Sequence, residues 1–151
     1  MSRAFVKEND DAIEDLPARP ISAAPNFVTA EGLGAIDAEI AQLNTALTEA
    51  GEDRAVRARI QRDLRYWCAR RGNAQLMPAP CGNDVVRFGA TVTLLRDDGS
   101  RLRFRIVGED QADPEQGTLS HVSPLARALM GKSQGDTVGA ANNEFEIETI
   151  A

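Results

Sequence analysis

Two adjacent acids, Glu52 and Asp53, come nearest in type and spacing to residues that could do chemistry. Neighbouring carboxylates offer the hard oxygen ligands that Mg²⁺ prefers, and two-metal hydrolysis depends on such ligands. Acids that follow a glycine between two helical patterns are also ordinary turn and capping residues, and we expect that role here. The sequence therefore predicts no catalytic residue, no metal site and no cofactor of its own, and the protein is not expected to be an enzyme.

Cysteine and histidine are too few for a metal site or a disulfide framework. Cys68, Cys81 and the single histidine, His121, are far apart in sequence, whereas structural zinc usually takes four closely spaced ligands. We expect two free thiols, as in a reducing compartment, and a histidine on the surface of a strand. The N-terminus lacks the apolar core of a signal peptide, and no run reaches membrane-spanning length, so the predicted location is the cytoplasm, without membrane contact.

Arginines are concentrated in one segment, residues 54–71, where Asp63 is the only acid. One interpretation is a solvated helix face whose charge is balanced by nearby acids. The other is a patch that contacts RNA, a phosphate-rich channel or an acidic protein groove. The formal net charge of −6 argues against strong binding to duplex DNA, which needs a broad cationic surface. The residues assigned to this basic face are Arg54, Arg57, Arg62 and Arg65.

The arginines fall within a predicted helical hairpin, residues 29–76. Thr29 and Asp53 are suitable N-caps for its two helices, and Gly51 is suited to the C-cap between them. Apolar residues recur at spacings of three and four in both helices, which is typical of an antiparallel coiled coil. The residues of this apolar seam are Leu33, Ile36, Ile40, Leu43 and Leu47 in the first helix and Val56, Ile60, Leu64 and Trp67 in the second.

The segment before the hairpin, residues 1–28, is acidic and interrupted by prolines. Its composition predicts a mostly disordered tail, because little apolar surface is available to offset the cost of ordering the backbone. The alternative is an acidic arm that folds onto a basic surface of its own protein or of a partner.

A linker, residues 77–84, leads to a segment with strand-like alternation, residues 85–151. Strands are expected over residues 85–95 and 101–107, joined by an Asp-Asp-Gly turn, with a short strand containing Leu119 and Val122. Ser123 and Pro124 have the order of a helix N-cap and first helical residue. The predicted class is α+β, in which an antiparallel sheet with one short helix follows the hairpin.

Four segments of this domain resemble the C-terminal domain of the GreA/GreB transcription elongation factors. They are residues 88–92 (Phe-Gly-Ala-Thr-Val), 103–110, 123–132 (beginning Ser-Pro-Leu-Ala-Arg) and 135–138. The resemblance implies an FKBP-like fold and docking on the core RNA polymerase at the rim of its secondary channel. It also implies a monomer whose hairpin enters the pore, with contact to nascent RNA as a further expectation. The docking residues carried over are Ser123, Pro124 and Arg127; the family usually has Asp or Asn just before the Ser-Pro pair, where this chain has Val122.

The tip of the hairpin departs from the family pattern. Cleavage-stimulating members carry Gly-Asp and Ser-Glu-Asn elements at the end of a hairpin several turns longer, and their acids help to hold a polymerase Mg²⁺. This chain has no Ser-Glu-Asn element, and its first helix, of about 20 residues, spans about 30 Å. Three functions remain open: an elongation factor that promotes cleavage of backtracked RNA, a non-cleaving factor that blocks the channel, or an FKBP-like binding module unrelated to polymerase.

Overall fold

The computed structural model describes residues 16–151; the predictions for residues 1–15 lie outside this range. The described chain divides into a helical unit, which comprises residues 16–23 together with 34–73, and a β-rich unit of residues 24–33 and 74–151. Within the described range, no helix combines the length and apolarity needed to cross a membrane.

Two helices form where the sequence predicts them, α1 (Ala30–Glu49) and α2 (Arg54–Gly72). The Thr29 hydroxyl accepts a hydrogen bond from Gly32 N–H at 2.9 Å, and the Asp53 carboxylate accepts one from Val56 N–H at 3.2 Å. Both side chains therefore satisfy N–H groups that have no partner inside their helix. The predicted N-caps are confirmed.

Residues of the predicted apolar seam differ in burial. Ile36 is almost fully buried, whereas Val56 keeps 37% of its surface exposed and the remaining seam residues are half-buried. Two helices side by side cover only one face each, so partial exposure of the seam is expected. An ion pair between Arg71 Nε and Asp37 Oδ1, 2.7 Å apart, joins the two helices.

Two short strands flank the hairpin in sequence, β1 (Phe27–Val28) and β2 (Gln75–Leu76), and they pair in parallel. Gln75 N–H donates to the Asn26 carbonyl at 2.8 Å, and Val28 is buried. The predicted tail ended at residue 28 and the predicted hairpin at residue 76, so both segments include a strand that the prediction did not contain. The reason is that this pairing joins residues almost fifty positions apart, which local sequence patterns do not report.

The five-stranded sheet has the order β5-β4-β3-β7-β6. Its strands are β3 (Thr91–Arg96), β4 (Arg101–Val107), β5 (Thr118–Ser120), β6 (Thr137–Ala140) and β7 (Asn143–Ile150). The prediction of a purely antiparallel sheet is wrong, because β5 runs parallel to β4. The connection over residues 108–117, with a 3₁₀ turn at Pro114–Gln116, brings the chain back alongside β4 in the same direction.

The core of the β-rich unit lies between the sheet and helix α3 (Pro124–Leu129). Leu94, Ile106, Leu129 and Ile147 are fully buried there. The strand expected over residues 85–95 begins only at Thr91, because residues 85–90 cross the core as a loop. Three residues of that loop, Val86, Phe88 and Ala90, are nevertheless buried in the core.

Candidate functional site

The Ser-Pro motif forms the entry to α3, as its sequence predicts. Ser123 Oγ accepts a hydrogen bond from Ala126 N–H at 3.3 Å and donates one to the Ser120 carbonyl at 2.7 Å. Pro124 is the first helical residue, where its missing N–H and fixed φ cost nothing. The Ser123 side chain is thus committed to holding the helix start.

The exposed side of α3 presents three residues at spacing three, Pro124, Arg127 and Met130. We call these three the Ser-Pro surface. Met130 keeps 39% of its surface exposed although it is large and apolar. Sequence reasoning found Pro124 and Arg127 and missed Met130, which the same spacing of three could have indicated. An apolar residue beside a cation is a combination suited to protein contact.

The buried side of α3 fixes this surface on the sheet. Ala126 and Leu129 are fully buried, and Gly131 N–H donates to the Val86 carbonyl at 2.9 Å. Val86 N–H donates in return to the Lys132 carbonyl at 2.8 Å. These two hydrogen bonds attach the C-terminal end of the short helix to the loop before β3, and its buried side packs on the core, so its exposed side chains have a rigid base.

His121 lies beside this motif and not on the surface of a strand as predicted. Strand β5 ends at Ser120, so His121 and Val122 fall in the turn before α3. The imidazole packs against the rings of Phe27 and Phe88, with centroid distances of 5.2 and 5.6 Å. These neighbours are distant in sequence, and the ring has a packing role in the turn that leads into the Ser-Pro motif.

A small cleft of about 110 Å³ opens between the start of α1 and the loop before β3. It is lined by Met77, Pro80 and Phe88 and by an ion pair between Glu31 and Arg105 at 3.3 Å. A hydrogen bond from its own backbone N–H, together with the charge of Arg105, lowers the pKa of the Glu31 carboxyl. Ligand pockets usually exceed about 300 Å³, so this cleft is small for a substrate.

The turn at the hairpin tip uses its charged residues to hold the turn itself. Asp53 caps α2, and Arg57 donates to the carbonyls of Leu47 and Gly51, both at 3.2 Å. Glu52 is exposed and contributes the other carboxylate of the turn. Within residues 16–151 there is no group of three His, Cys, Asp or Glu placed to hold a metal ion.

The basic-face arginines differ in their surroundings. Arg57 donates to backbone carbonyls at the turn, and Arg62 lies 3.3 Å from Asp63. Arg54 and Arg65 are exposed and, being eleven residues apart, lie on nearly the same side of the helix. Burial also differs among the arginines of residues 54–71: Arg70 is buried, whereas the others are half-buried or exposed.

Sequence reasoning missed one residue that contacts α2, Arg19. Its guanidinium lies over the Tyr66 ring, 3.9 Å from the centroid, and 3.4 Å from an Asp63 carboxylate oxygen. A lone arginine between two prolines in an acidic segment was the available signal, but its partners are more than forty residues away.

Comparison with known proteins identifies the β-rich part of the chain. Residues 81–150 match the family model of the GreA/GreB transcription elongation factor C-terminal domain. Transcription elongation factor GreA of Anaeromyxobacter sp. (strain K) is 48% identical over 73 residues, which are 45% of this chain and 44% of that protein. GreA of Alkalilimnicola ehrlichii is 47% identical over 83 residues, 52% of each chain. The match spans about half the length of these curated relatives.

Two solved structures are also similar. GreA factor homolog 1 (Gfh1) of Thermus thermophilus has 19% identity and a TM-score of 0.42, with 85% of this chain and 99% of that chain covered. GreA/GreB from Nitrosomonas europaea has 18% identity and a TM-score of 0.41, with 83% and 98% covered. Residues 81–150, with Ser123 and Pro124 at the start of their helix, match the GreA/GreB C-terminal domain.

Proposed function

We propose that this protein is a transcription elongation regulator that binds the core RNA polymerase at its secondary channel. The observation that carries the proposal is the family match of residues 81–150, within which the Ser-Pro surface stands on a rigid base. The protein acts as a cytoplasmic monomer and is not an enzyme, since any cleavage it affects is catalysed by the polymerase. Its interaction with the polymerase does not depend on duplex DNA.

We further infer that the β-rich unit has the FKBP-like fold of the family and that α1 and α2 pack as a short antiparallel coiled coil. A sheet covered by one short helix supports the first inference. Apolar residues at spacings of three and four, together with the Arg71–Asp37 ion pair between the helices, support the second.

Of the two polymerase-binding functions, the geometry of the tip favours the non-cleaving one. Asp53 already accepts a hydrogen bond from Val56 N–H as the cap of α2, so its use as a metal ligand would compete with that role. Each missing helical turn withdraws the tip by about 5 Å, whereas metal ligands must be placed within tenths of an ångström. The protein then occupies the channel and excludes factors that promote cleavage.

Binding to immobilised core polymerase tests the proposal. We expect Arg127→Glu to weaken binding about tenfold, equivalent to about 1.4 kcal/mol, because it reverses a charge on the Ser-Pro surface. The matched control is Arg103→Glu, which makes the same change at an exposed position of β4.

The two variants and the unaltered protein give a clear decision. Absence of binding by the unaltered protein would contradict the proposal and favour an FKBP-like module with another partner. If both variants weakened binding equally, the proposal of polymerase binding would stand, but the Ser-Pro surface could not be assigned as the docking surface.

A further inference from the structure

One turn of α2 holds a guanidinium group of the same chain. Arg19 lies over the Tyr66 ring, 3.9 Å from its centroid, and 5.7 Å from the centroid of Trp67. Its Nη1 atom lies 3.4 Å from Asp63 Oδ1. A cation over an aromatic face with a carboxylate beside it is attracted by both groups, so the contact is selective for a planar cation. We call Asp63, Tyr66 and Trp67 the arginine cradle.

The arginine cradle is built by α2 alone. Tyr66 and Trp67 follow Asp63 by three and four residues, which is the spacing of side chains on one face of a helix. The two rings meet edge to face, with centroids 5.1 Å apart and an angle of 83° between their planes. Arg62 lies 3.3 Å from the Asp63 carboxylate and orients it. The shape of the cradle therefore does not depend on Arg19.

The segment that carries Arg19, residues 16–23, has no helix or strand but shows a regular pattern of burial. Leu16, Arg19 and Ser22 are half-buried, whereas the residues between them are exposed. Three residues per turn is the period of the polyproline II helix, and the two prolines of this segment favour that conformation. We call residues 16–23 the strap. One of its edges, with Arg19 at the centre, faces the protein, and the other two face solvent.

The contact between the strap and the cradle is of a kind that another arginine can replace. The side chains of Arg19 and Asp63 both stay partly exposed, and an ion pair in that setting contributes little to stability. Arg19 is also the only charged residue of the strap, so no second ion pair from the strap retains it. An arginine presented by another protein therefore competes with Arg19 for the same site.

We propose that the arginine cradle binds an arginine from an extended, proline-flanked segment of another protein, and that Arg19 occupies the cradle until such a segment displaces the strap. A second copy of this chain gains nothing by the exchange, because its own cradle competes for the same arginine at a high effective concentration. A different protein gains wherever the residues around its arginine make contacts that the strap lacks. The proposal is independent of polymerase binding.

Fluorescence of Trp67, the only tryptophan of the sequence, tests the proposal on the full chain. The probe is a peptide copy of the strap, Leu-Pro-Ala-Arg-Pro-Ile-Ser-Ala, with both ends blocked. In the variant Arg19→Gln the cradle is vacated, and we expect saturable binding of this peptide. The unaltered chain should bind it about threefold more weakly, because Arg19 competes at an effective concentration of about 1 mM.

Two controls make the test specific. A peptide with glutamine in place of its arginine should bind the Arg19→Gln variant about tenfold more weakly than the arginine peptide. Adding Asp63→Asn to that variant should weaken binding of the arginine peptide by a similar factor. The matched control Glu49→Gln removes an exposed carboxylate of α1 and should leave binding unchanged.

The proposal is overturned if the Arg19→Gln variant binds neither peptide, if it binds both equally, or if the unaltered chain binds the arginine peptide as tightly as the variant does. Should circular dichroism show that the variant has lost helix, the two peptides are compared on the unaltered chain at higher concentration, where equal binding again overturns it. Mixing Arg19→Gln chains with Asp63→Asn chains tests the second copy as the source. A heterodimer in sedimentation would contradict binding of a different protein.

Discussion

At the residue scale, the tip of the hairpin illustrates how one carboxylate can have a structural role where chemistry was conceivable. Asp53 accepts a hydrogen bond from Val56 N–H, and Arg57 donates to the carbonyl of Leu47 in α1 and to that of Gly51 in the turn. An N-cap needs only an oxygen at a defined position, which serine also supplies. Glu52, one residue earlier, has no such geometric requirement.

This difference predicts how substitutions at the tip change stability. Asp53→Ala should lower the free energy of unfolding by about 1 kcal/mol, because an N–H at the start of α2 loses its partner. Asp53→Ser should retain most of that stability, and Glu52→Ala should change it by less than about 0.5 kcal/mol. Urea unfolding measures all three; equal losses for Asp53→Ala and Glu52→Ala would contradict the capping role.

At the element scale, an ion pair reaches across β3 on the exposed side of the sheet. Arg101 Nε on β4 lies 2.7 Å from Glu148 Oε2 on β7. Strand β3 lies between these two strands in the sheet. Hydrogen bonding to Arg101 and the arginine charge lower the pKa of the Glu148 carboxyl. The stability that the pair gives to the sheet therefore depends on pH.

The direction of this linkage follows from the lowered pKa. The contribution of the pair is fully present above the unfolded glutamate pKa, near 4.3, and is lost as the pH falls through the lower pKa of the folded protein. Thermal unfolding should show Glu148→Gln less stable than the unaltered protein at pH 7, with the difference narrowing below about pH 4. The control Glu146→Gln changes an exposed residue of the same strand; a constant difference for Glu148→Gln at all pH values would exclude the linkage.

Local signals predicted the helices well, because caps and helical spacing operate over a few residues. Thr29, Asp53 and Ser123 each cap the helix that the sequence assigned to them. The parallel pairing of β5 with β4 and the β1–β2 pair depend on residues far apart in sequence, so alternation of polar and apolar residues could not reveal them.

The candidate site was predictable to the same extent. The Ser-Pro motif was recognised from adjacent residues, and its cap at Ser123 was found in the expected place. Arg19 was not, because its partners Asp63 and Tyr66 are distant in sequence and its own neighbours indicated a tail. The basic face stays a prediction; local patterns could not show that Arg57 donates to backbone carbonyls at the turn.

At the scale of the whole molecule, the helical unit and the β-rich unit divide the proposed work. In the proposed function, residues 81–150 supply the Ser-Pro surface for docking, and the hairpin supplies a short body that occupies the polymerase channel. On this proposal the protein excludes other factors from the channel without promoting cleavage, because its tip lacks metal-binding acids. This combination is the central claim.

RNA cleavage in a purified, backtracked elongation complex tests that claim most directly, with this protein added alone and then in competition with an authentic GreA. We predict no Mg²⁺-dependent shortening of the transcript by this protein alone and a concentration-dependent inhibition of GreA. Shortening by this protein alone would show that the tip does deliver its acids to the active site. If the protein caused no shortening and no inhibition of GreA, polymerase binding itself would be contradicted.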